Sequence, residues 1–73
     1  MIVRYYCEAK YKDSVMARLR DMGVEMLNPQ LVSDRRLNVV VTRCSDATRC
    51  EVERMRTNKE LQGIDLVQWR EEK

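Results

Sequence analysis

Apolar and polar positions change rhythm several times along this chain, and each change marks an element. From Ile2 to Ala9 they alternate: Val3, Tyr5, Cys7 and Ala9 fall on one side, Arg4, Tyr6 and Glu8 on the other. Period two is the mark of a strand with one buried face. Lys10-Tyr11-Lys12 reads as a connector, with Asp13 or Ser14 as the cap of a helix. Val15, Met16, Leu19 and Met22 then recur at helical spacing, and Gly23 ends the run. Val24 to Val32 reads as a second strand broken by Asn28-Pro29. A proline donates no ladder hydrogen bond, so this strand belongs at a sheet edge or carries a bulge.

Ser33-Asp34-Arg35-Arg36 reads as the turn of a hairpin. Leu37 to Cys44 follows, the richest β-forming run in the chain, with Val39, Val40, Val41 and Thr42 at its centre. Apolar residues on both parities suit a strand with neighbours on both edges. Ser45-Asp46 is a helix cap followed by an acid in the first turn. A second helix is predicted from Asp46 to Leu61, with Thr48, Val52 and Met55 on one face and Gly63 as its stop. Ile64 to Arg70 is a last strand, and Glu71-Glu72-Lys73 a solvated tail.

The order strand, helix, strand, strand, helix, strand predicts an α+β fold over residues 1–73 as a single domain. It is a ferredoxin-like βαββαβ two-layer sandwich, with an antiparallel sheet in the order 4-1-3-2 and two helices on one face. The prolyl strand then lies at an edge and the valine-rich strand in the middle. A right-handed crossover selects this hand of the fold.

Composition narrows the chemistry. With 73 residues the core is thin, so extra burial against a partner or a second copy is expected. The 36% charged residues indicate a soluble chain, and the net charge of +2 does not by itself imply a nucleic-acid or membrane surface. No apolar run approaches the ~20 residues of a membrane span, and no secretory signal is read, so a cytoplasmic location with reduced thiols is expected. There is no histidine. That excludes Ser–His and Cys–His nucleophile pairs and histidine metal ligands. Cys7, Cys44 and Cys50 lack metal-ligand spacing and read as small buried apolar residues. Cys44, beside Arg43 and ahead of a helix, is the one whose pKa those neighbours would lower. Glu51, Glu53 and Glu60, with arginines nearby, read as a solvated helix face. Neither glycine sits in a phosphate-binding loop. No catalytic set, cofactor or metal is expected.

A sheet with both helices on one side must still use the other. By alternation, Arg4, Tyr6 and Glu8, then Asn38, Val40 and Thr42, then Asp65, Val67 and Trp69 are expected there, with Ile64 and Leu66 in the core. Arg4, Tyr6, Val40, Val67 and Trp69 then form the predicted partner-binding patch of a small non-enzymatic protein-binding module or inhibitor. A sheet edge is the other surface open to a partner or a second copy. An alternative is single-stranded nucleic acid, with Tyr6 stacking a base and Arg35, Arg36 and Arg43 on phosphates. The glycine and aromatic pattern of RNA-recognition strands is absent from Leu37–Thr42. The element order also resembles that of ACT-type domains, which implies a dimeric small-ligand regulatory module. Lys10-Tyr11-Lys12-Asp13 lacks the glycine usual in the ligand loops of that family.

Overall fold

The computed structural model describes residues 1–27, 32–34 and 37–72, with 32–34 as backbone. β1 (Ile2–Glu8) runs through a 3-10 turn (Ala9–Tyr11) into α1 (Lys12–Asp21). Then come β2 (Glu25–Met26), β3 (Val32–Asp34), β4 (Leu37–Arg43), α2 (Asp46–Thr57) and β5 (Ile64–Arg70). β1 and β4 are the central strands of an antiparallel sheet. β5 flanks β1, and β2 and β3 both pair with β4. β2 and β3 share one edge position, so the sheet is four strands wide with two helices, in the order the sequence predicts.

The predicted second strand is thus two short pieces on one edge. Asn28 and Pro29, the predicted interruption, lie outside the described residues, as do Arg35 and Arg36. Ser33 and Asp34 are not turn residues: they pair with Asn38 and Leu37.

α1 has no side-chain cap from Asp13 or Ser14, because the 3-10 turn feeds straight into it. Its end is a Schellman motif. The Gly23 N–H donates to Arg20 O at 2.9 Å and the Val24 N–H to Leu19 O at 3.0 Å, with Gly23 at φ +79°. α2 is capped by Ser45, whose Oγ accepts from the Thr48 N–H at 3.2 Å. It ends four residues before the predicted Leu61, through a second Schellman motif. Lys59 holds φ +60°, its N–H donates to Arg56 O at 3.2 Å, and the Glu60 N–H donates to Met55 O at 2.8 Å. Lysine in a glycine position hides this stop from the sequence.

Both helices bury their apolar stripes against the same side of the sheet. Val15 and Leu19 of α1, and Val52 and Met55 of α2, form one cluster with Val3, Tyr5, Cys7, Val40 and Ile64. The buried Thr42 joins them, its hydroxyl donating to Val3 O at 3.0 Å. Among the described residues no helix is long and apolar enough to cross a membrane.

The pairing of β1 with β5 shifts between Tyr6 and Cys7: Tyr6 faces Leu66 while Cys7 faces Ile64, leaving Asp65 unmatched. This is a β-bulge, and it leaves ladder carbonyls to be satisfied elsewhere. Arg56 of α2 supplies the donors, Nε to Ile64 O at 3.1 Å and a terminal nitrogen to Asp65 O at 2.7 Å. Gly63, just ahead, holds φ +95°, and its carbonyl accepts from the Glu8 N–H at 2.9 Å. A Cβ there would lie 2.2 Å from Tyr11 Cβ.

Replacing Gly63 with alanine combines positive-φ strain with a clash against Tyr11, so the unfolding free energy from urea titration should fall by well over the ~1 kcal/mol of the conformational penalty alone. Lys59→Gly should move it the other way, by up to ~1 kcal/mol. Removing the clamp by Arg56→Ala should cost about 1–2 kcal/mol in the same titration, while Arg56→Lys recovers only part, since an ammonium lacks the fork that spans two carbonyls.

Candidate functional site

Residues directly opposite in antiparallel strands share a face, so the register assigns every side chain of the sheet. Val3, Tyr5 and Cys7 face Thr42, Val40 and Asn38 on one neighbour, and Trp69, Val67 and Ile64 on the other. All of these positions belong to the helix side. Ile2, Arg4, Tyr6 and Glu8 face Arg43, Val41, Val39 and Leu37, and Ile2, Arg4 and Tyr6 face Arg70, Gln68 and Leu66. These belong to the open side.

Of the predicted patch, Arg4 and Tyr6 lie on the open face. Val40, Val67 and Trp69 do not. Val40 is 1% exposed in the core, and Val67 packs against that core partly buried. Trp69 lies under α2, where the Arg49 guanidinium stacks 4.4 Å from its ring centroid. Asn38 and Thr42 are likewise on the helix side, and Leu66, expected in the core, is 44% exposed on the open face.

Each reversal has a physical cause. In β4 both parities are apolar, and Leu37, Val39 and Val41 look the better core set. Thr42 can nevertheless be buried, because its hydroxyl finds the Val3 carbonyl. In β5 the bulge at Asp65 breaks the alternation: Ile64 and Val67 share a face although three residues apart. The apolar run on both sides of Asp65 was the signal available for it.

The open face is therefore more apolar than expected. Val39, Tyr6 and Leu66 form a row across three strands, with Leu37 and Val41 beside it on β4 and Ile2 beyond Arg4 on β1, and none of them packs on the helix-side core. The Tyr6 hydroxyl donates to Gln68 Oε1 at 3.0 Å and fixes the ring across β1 and β5. One end of the strip is basic. Arg43 is held there by Glu72 at 2.6 Å and Glu25 at 3.3 Å, so Glu72 is an ion-pair partner rather than part of a free tail. Arg4 and Arg70 have no ion pair among the described residues. With Ile2, Gln68 and Trp69 they line a shallow depression of about 380 Å³ at the β5 edge. Of the arginines proposed for phosphate, Arg43 is thus committed to two carboxylates, and Arg35 and Arg36 lie outside the described residues.

The thiols divide by burial. Cys7 is fully buried, Cys44 half-buried and Cys50 exposed, so the expectation of three buried cysteines fails for Cys50. Burial pushes the Cys44 thiol up from its ordinary value, outweighing the downward pull of Tyr5, the amino terminus, Thr42 and Arg49. This reverses the expected direction. Among the described residues the buried Tyr5 hydroxyl has no hydrogen-bond partner, and burial, then Cys44 and Glu53, drive its pKa up. Among the described residues no three His, Cys, Asp or Glu side chains converge as metal ligands. The helix carboxylates are paired: Glu51 and Glu60 with Arg54 at 2.6 and 2.9 Å, and Glu53 with Arg56 at 3.6 Å.

Burial also pushes Cys7 from 9.0 up to about 11. Folding therefore favours its neutral form, and the associated stability is full below pH 9 and declines as pH rises through about 11. Denaturant midpoints should fall across that window, and less steeply in Cys7→Ala.

Comparison with known protein families, curated proteins and solved structures returns no match to this chain.

Proposed function

We propose that this chain is a non-enzymatic binding module, a ferredoxin-like sandwich whose open sheet face docks on another protein. The partner surface is apolar and edged by carboxylates. What supports this reading most is the open strip itself: Ile2, Tyr6, Leu37, Val39, Val41 and Leu66 face away from both helices. A strip of this kind on a domain with so little core is better covered than wet. Arg4 and Arg70, without ion pairs among the described residues, supply charge complementarity for acidic groups at one end. Tyr6 is an anchor of low entropic cost, its ring already oriented by Gln68.

Tagged protein should capture its partner from the source cells. Val39→Glu, which places a carboxylate at the centre of the strip, should weaken capture roughly 30-fold or more while the circular dichroism spectrum is unchanged. Arg4→Glu should weaken it less and reduce its salt sensitivity. Undiminished capture by the Val39 variant would assign the contact to another surface. A captured species that is removed by nuclease would favour the nucleic-acid alternative instead.

A further inference from the structure

The sheet has two unlike edges. On one side β2 and β3 offer short pieces of two and three residues. On the other β5 is seven residues long and, among the described residues, pairs with β1 alone. A long open edge presents unpaired backbone groups that another strand can use.

Two side chains show how that edge is covered. The exposed large apolar residues are Leu66, at 44%, and Trp69, at 49%. Both lie on β5, and the register sets them on opposite faces of the sheet: Leu66 across from Tyr6, Trp69 across from Val3. Trp69 also lines the depression with Ile2, Arg4, Gln68 and Arg70, so it borders the outer edge of β5. A strand laid along the edge touches both.

We propose that β5 is a dimerisation edge, pairing antiparallel with β5 of a second copy about a two-fold axis at Gln68. The sheet then runs continuously and is eight strands wide. Arg56 determines the register. It already holds the carbonyls of Ile64 and Asp65, so the free stretch is Leu66–Arg70. The midpoint of that stretch is Gln68.

A strand paired with itself in this way must be complementary to itself, and this one is. With Gln68 opposite its counterpart, Trp69 lies across from Val67 of the second copy, twice, on the helix side. Aromatic and β-branched residues are a favourable cross-strand pair. On the open side Leu66 lies across from Arg70 of the second copy, whose aliphatic stem covers it while the guanidinium stays in water. Slipping to an axis at Val67 would set Trp69 against the bulge residue Asp65 and run the pairing into the carbonyls that Arg56 occupies. The contact is short, so the dimer dissociates on dilution. It covers Leu66 at the border of each open face, leaves Tyr6, Leu37, Val39 and Val41 free, and sets the two faces side by side.

Sedimentation equilibrium of the full chain should approach twice 8.7 kDa at millimolar concentration and fall towards 8.7 kDa on dilution. Trp69→Glu should weaken association at least tenfold without changing the far-ultraviolet circular dichroism, because the new carboxylate has Arg49 beside it in the monomer. Gln68→Cys, made with Cys50→Ser, should form an intermolecular disulfide in oxidised glutathione, since directly opposed positions lie within bridging distance. Asp65→Cys in the same background should not. A monomer at millimolar concentration overturns the proposal, as does failure of the Gln68 variant to cross-link. A dimer that survives Trp69→Glu but is broken by Val39→Glu moves the interface to the open face. The two readings also fail separately: Val39→Glu should abolish partner capture and spare the dimer, whereas Trp69→Glu should do the reverse.

Discussion

Two hydrogen bonds from one arginine organise the surface of this protein. Arg56 reaches from α2 to the carbonyls of Ile64 and Asp65, where β5 carries one residue more than β1 can match. An unpaired carbonyl near a core is expensive, and a guanidinium fork is well shaped to satisfy two adjacent ones. The bulge can therefore persist, and everything beyond it changes face. Val67 and Trp69 turn towards the helices, Leu66 and Gln68 towards the open side. A one-residue slip in a period-two pattern inverts every later side chain.

The division between the two faces follows from this inversion and from Thr42. On the helix side a small core closes around Tyr5, Leu19, Val40 and Val52, with Thr42 tolerated because its hydroxyl returns a bond to the backbone. Among the described residues Tyr5 carries the buried side-chain oxygen without a hydrogen-bond partner. On the open side a row of aliphatic residues flanks Tyr6 and ends at Arg4 and Arg70. Removing water from such a row contributes roughly 25 cal/mol for each Å² of apolar surface, which a lone domain of this size forgoes and a complex recovers.

The helix ends show how differently two identical devices read in sequence. Both α1 and α2 stop through a Schellman motif. Gly23 announces the first, because glycine takes positive φ without strain. Lys59 conceals the second, because nothing in a lysine suggests φ +60°. Gly63 looked like the stop for α2 and instead serves the bulge, its missing side chain making room for Tyr11.

The sequence alone determined the order of helices and strands, the caps at Ser45 and Gly23, the sheet order, and the helix-side face of β1. Each of these rests on local chemistry: alternation, helical spacing, a capping hydroxyl, a glycine at positive φ. Tertiary structure decided which face of β4 and β5 is buried. In β4 both parities are apolar, so only pairing with β1 selects Val40 over Val39. In β5 the decisive residue, Arg56, lies on another element and is brought to the bulge by folding. Facing is a property of strand pairs and of what caps them, and no single strand carries it.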